Sequence, residues 1–125
     1  MTRSKTIASV SLWALALTML AACGQPLEAP RNASVCWRLG PGMNSQPDFR
    51  PLSNGVDTLE NCAVQLEGLS RAGKRPVTGA FQGRFIFVTD ESVTAAAAEH
   101  AQRYRVFSPE QRAKIDAGFD TLEAR

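Results

Sequence analysis

The chain has 125 residues, 44% hydrophobic and 21% charged. That is room for one domain and little else, with enough apolar residues for a core and a composition that excludes an acidic or basic extreme. The formal charge of +2 includes Arg3 and Lys5; without them twelve basic side chains meet twelve acidic ones, which excludes a general nucleic-acid binder but not a local basic patch.

The first elements in chain order are a cationic start, "MTRSKT", and an uncharged run, "IASVSLWALALTML", over residues 7–20. Small residues Ala21 and Ala22 follow, then Cys23. This is the anatomy of an export signal. A membrane-spanning helix is the competing reading, but spanning takes about 20 apolar residues. The run is shorter and ends in Gly24, Gln25 and Pro26 without a cationic stop.

Leu20-Ala21-Ala22-Cys23 followed by Gly24 resembles the lipobox of bacterial lipoproteins. The resemblance implies a helical signal peptide over residues 1–22, cut between Ala22 and Cys23. It implies a diacylglycerol thioether on the Cys23 thiol and an acyl chain on its freed amine. Two or more chains give stable anchoring where one does not. Gly24 rather than aspartate implies onward transport to the outer membrane, with the protein facing the periplasm.

Cys36 and Cys62 then lie in an oxidising compartment, where two thiols read as one structural disulfide. Two separate buried thiols are the alternative. A metal site would need more ligands than the single His100 adds, and no Cys-x-x-Cys suggests redox exchange.

Residues 23–33, with two prolines and no periodicity, read as a lipidated tether reaching roughly 30 Å when extended. Residues 34–125 read as the domain. "SVCWRL" predicts a strand with Val35, Trp37 and Leu39 on one face and Cys36 and Arg38 on the other. Residues 40–55, rich in glycine and proline, predict a loop pinned by Phe49. "DTLENCAVQLEGLSRAG" predicts a helix with an Asp57/Glu60 capping box, a stripe of Leu59, Cys62, Ala63, Leu66 and Leu69, and Gly73 at its end. Cys62 in that stripe conflicts with Cys36 on the opposite strand face from Trp37. Either the strand twists, or the helix covers the Cys36 face.

"VTGAFQGRFIFVTD" predicts one long strand with Phe81, Phe85 and Phe87 on a common face. That stretch also resembles short uncharacterised envelope proteins of alphaproteobacteria, a likeness that implies no activity. Residues 91–102 are ambiguous, their alanines favouring helix. Residues 103–107 predict a strand. Ser108, Pro109 and Gln111 open a last helix with a narrow stripe of Ile115, Phe119 and Leu122. The fold expected is α+β: one small sheet with two main helices, following the signal peptide.

No nucleophile elbow, phosphate loop, dinucleotide fingerprint or metalloprotease helix is present. His100 near Ser92 and Glu99 reads as an exposed helix histidine. Asp90 with Glu91, and Asp116 with Asp120, read as solvated acids rather than glycosidase pairs. Arg71, Lys74 and Arg75 suit a helix C-terminus. Arg84, Arg103 and Arg105 are the candidate anion-binding group, for headgroup or lipopolysaccharide phosphates; a solvated sheet face is the plainer reading. The expectation is a non-enzymatic, lipid-anchored envelope protein. It needs no cofactor beyond its lipid, and it either binds another envelope protein or glycan, through residues 40–55 and the last helix, or serves a purely structural or stress-related role with no specific ligand. A small hydrolase or enzyme accessory is the alternative.

Overall fold

The computed structural model describes residues 26–42 and 46–124. Six strands form one antiparallel sheet in the order β2-β1-β3-β4-β5-β6. They are β1 (Val35–Pro41), β2 (Pro47–Asn54), β3 (Val77–Phe81), β4 (Arg84–Val88), β5 (Val93–Ala96) and β6 (Tyr104–Arg105). Helix α1 (Leu59–Gly73) joins β2 to β3, and α2 (Pro109–Glu123) closes the chain. The α+β class expected from the sequence is the one observed.

The helix covers the Cys36 face. Cys36, Phe81, Ile86, Val88, Val93 and Ala95 pack with Cys62, Ala63 and Leu66 of α1. Cys36 and Cys62 are joined as a disulfide with their Cα atoms 5.3 Å apart and both residues fully buried, so β1 is stapled to α1. Leu66 sits directly over Gly79, where a β-carbon would overlap Leu66 Cδ1 and the Trp37 carbonyl oxygen. Gly79 is therefore required by a close approach of helix and neighbouring strand rather than by a turn.

Three expectations from the sequence are corrected. Residues 40–55 are mostly not loop. They complete β1 and form β2, a hairpin closed by Gly42 donating to the Gln46 carbonyl at 2.7 Å. β2 is an edge strand, and Pro47 and Pro51 can sit there because half of an edge backbone has no ladder partner. A bulge interrupts the pairing, Cys36 facing Ser53 and Trp37 facing Pro51, and Leu52 is the extra residue that turns inward.

The long strand over 77–90 is a hairpin. Gln82 (φ 47°) and Gly83 (φ 80°) make a two-residue turn with both φ positive, the I′ geometry that suits strand twist. The turn places Phe81 on the helix side and Phe85 and Phe87 on the other. The first half of the alanine run ends β5, and bends and a turn follow over 97–101. Ala95 and Ala96 are fully buried, so packing overrides their helix propensity.

Helix ends differ by one residue from expectation. Thr58, not Asp57, caps α1, accepting from Asn61 N–H at 3.1 Å. Lys74, not Gly73, takes the left-handed position at its C-terminus (φ 51°). The Ser108/Gln111 capping box of α2 forms as expected, with Ser108 N–H donating to Gln111 Oε1 at 2.9 Å and Gln111 N–H to Ser108 Oγ at 3.2 Å.

The other sheet face carries Trp37, Leu39, Phe49, Ala80, Phe85 and Phe87. Phe49 and Phe85 pack tilted at 5.7 Å between ring centroids, and Phe85 and Phe87 lie stacked at 5.9 Å. Residues 26–31, expected to be free tether, lie on this face: Leu27 and Ala29 pack into it. Gly83 donates its N–H to the Pro30 carbonyl at 2.8 Å. The short alternation Leu27-Glu28-Ala29 explains why so proline-rich a segment can dock. Among the described residues no helix is long and apolar enough to cross a membrane.

Candidate functional site

α2 is attached unusually. None of its residues is fully buried, only Ile115 packs against the main core, and Leu122 is 64% exposed. Charges make up for the thin apolar seam. On α1, Glu67 and Arg71 stand one turn apart; on α2, Arg112 and Asp116 do the same. The two pairs interlock. Arg71 Nη2 donates to Glu67 Oε1 at 3.3 Å and to Asp116 Oδ1 at 2.9 Å. Arg112 Nη2 donates to Glu67 Oε1 and, at 2.6 Å, to Asp116 Oδ1, with its Nε 3.1 Å from the same oxygen. The Arg71 guanidinium lies 4.3 Å from the Phe119 ring centroid, and that of Arg112 lies 5.6 Å from the Phe107 centroid.

Glu67 is the buried member, its side chain 9% exposed, and its Oε2 is buried without a hydrogen-bond partner among the described residues. Burial opposes the charge of Arg112, but hydrogen bonds to Asp116 and Glu67, with the charges of both, outweigh it and raise its pKa. The hydrogen bond from Arg112 leads in holding Asp116 below the usual carboxylate value. Desolvation opposes this, and the Arg112 and Arg71 charges reinforce it. An aspartate depressed in the folded state stabilises fully above its unfolded pKa of about 4 and loses that contribution as pH falls through the lower folded value.

Arg112→Ala, which removes a charged donor from the buried Glu67 carboxylate, is expected to cost roughly 1.5–3 kcal/mol. Amide exchange along α2 should accelerate more than along α1. In the unaltered protein, α2 protection should fall below about pH 4 and hold between about pH 5 and 8. Equal acceleration of both helices would show that the lattice does not hold α2 separately.

A groove beside α2 is bordered by Glu91, Ser92, Arg105, Phe107, Arg112 and Asp116. Arg112 and Asp116 are committed to the lattice. With the exposed outer side of α2, the groove gives the domain a polar surface beside its last helix.

Ala22 and Cys23 lie outside the described residues. Arg84, Arg103 and Arg105 do not form one group. Arg84 pairs with Phe81 in the β3–β4 register, on the helix side, where it donates to Tyr104 Oη with its guanidinium 5.8 Å from that ring. Arg103 lies 3.7 Å over Phe87 on the opposite face. Arg105 faces Thr94, in the row of Phe87, at the sheet edge. His100 is in a turn, not a helix, with its side chain 91% exposed and Glu99 at 4.0 Å. Ser92 is engaged with Thr89. Asp116 belongs to the lattice rather than to a solvated pair, and Arg71 serves the lattice as well as the helix end. Glu67 and Arg112 were not singled out from the sequence. Their signal was the opposite charges four residues on, Glu67 with Arg71 and Arg112 with Asp116.

No family model, curated protein or solved structure matches this chain.

Proposed function

We propose that the chain is a bacterial lipoprotein. It is anchored by a diacylglycerol and an N-acyl chain on Cys23, faces the periplasm from the outer membrane, and binds another envelope component rather than catalysing a reaction. The observation that carries the reading is Leu20-Ala21-Ala22-Cys23 behind a cationic start and a short apolar run. The buried Cys36–Cys62 disulfide supports export, since such bonds persist in oxidising compartments. The binding part of the reading rests on α2. A helix held by a charge lattice, with Leu122 exposed at its end, presents a long polar surface with one apolar contact point to a protein or glycan partner.

Cys23→Ala is expected to abolish incorporation of radioactive palmitate and to move the protein from the membrane to the soluble fraction. Label retained on the alanine variant would contradict the anchor.

A further inference from the structure

The lipid-bearing residue is only four positions before Leu27, which is docked on the aromatic sheet face. We infer that this face, carrying Trp37, Leu39, Phe49, Phe85 and Phe87, is the one turned toward the bilayer. The domain then lies against the membrane with α1 and α2 directed away from it. The inference rests on the lipoprotein reading and deepens it.

Reach decides between the two orientations. Four residues span at most about 14 Å fully extended, so Leu27 lies within that distance of the lipid attachment point. Leu27 packs on the sheet side opposite α1. The outer surface of a helix layer lies roughly 15 Å from the sheet plane, from layer spacing and helix radius. Leu27 stands on the far side of that plane again. With the helices against the bilayer, the chain from Cys23 would have to cross the full thickness of the domain and would fall short. With the aromatic face against the bilayer, it reaches easily.

Chemistry suits the same orientation. Trp37, Leu39 and Phe87 are only half-buried, which leaves apolar surface on this face for the bilayer to cover, although the Trp37 indole N–H itself is buried without a partner among the described residues. Arg103, stacked over Phe87 at 3.7 Å, and exposed Arg31, whose side chain lies against the Gly83 turn, are cations at the rim of this face. Glu28, exposed between Leu27 and Ala29, is the acid of the docked segment. The balance is cationic, which favours anionic headgroups at close range.

Trp37 is the only tryptophan beyond Cys23, which provides the probe. Full-length protein purified from membranes would be placed in vesicles of phosphatidylethanolamine and phosphatidylglycerol with bromines on the acyl chains near the headgroups. Trp37 emission should lose much of its intensity relative to unbrominated vesicles. In a variant combining Trp37→Phe with Leu122→Trp, emission should be unchanged. Vesicle-bound protein with Trp37 unquenched, or with both positions quenched alike, overturns the orientation. Protein that carries no diacylglycerol on Cys23 by mass and does not bind vesicles overturns the lipoprotein reading, and the orientation with it.

Discussion

Replacing Cys36 and Cys62 together by alanine is expected to lower stability by roughly 3.5 kcal/mol, from the entropy released to the unfolded chain when a loop of this length is opened. The bridged residues are 26 apart in sequence, and a small domain commonly has only about 5–15 kcal/mol to lose. For a domain of this size the melting temperature should fall by roughly 15–25 °C. The bond ties the second strand of the sheet, β1, to the helix above it, so its loss frees the two layers to separate. Thermal and urea unfolding of parent and double variant, both measured without reductant, would check this. A variant melting within a few degrees of the parent would show that core packing alone holds the layers together.

Gly79→Ala is expected to destabilise by about 3 kcal/mol, at the upper end of ordinary overpacking. The added methyl overlaps Leu66 Cδ1 and the Trp37 carbonyl. Leu66 can rotate only within a fully buried site, and the carbonyl belongs to the adjacent strand. Leu66→Ala alone should cost about 2–5 kcal/mol as a cavity. The double variant should be more stable than the sum of the two losses, because the alanine at 79 partly fills the space Leu66 vacates. Urea midpoints across the four proteins would read the coupling; strict additivity would mean that the helix–sheet contact at Gly79 is not the source of the strain.

The fold was legible where local chemistry and tertiary need agree. Ser108, Pro109 and Gln111 start a helix in any setting, and α2 begins there. The apolar stripe of α1 likewise gave its position and buried side. The sequence was misleading where position in the sheet decides the outcome. Prolines 47 and 51 read as loop residues, yet an edge strand accommodates them. Gln82-Gly83 hid a tight turn inside what looked like continuous alternation, because glutamine is not the residue expected at a positive φ. The alanines at 95 and 96 are strand because both are fully buried in the sheet, where packing outweighs their helix propensity. Of the site, the disulfide was readable from the number of cysteines behind an export-like start, but not the face on which it lies. The lattice of Glu67, Arg71, Arg112 and Asp116 joins residues about 45 positions apart. Their spacing on each helix marks two pairs but cannot say that the pairs meet.

The central claim is that the mature protein begins at a lipidated Cys23. The most direct measurement is the intact mass of its N-terminal peptide after purification from the membrane fraction. The account predicts a peptide starting at Cys23, without residues 1–22, heavier than its sequence by a diacylglycerol and an acyl chain. An unmodified Cys23, or a peptide still carrying Ala22, would contradict it.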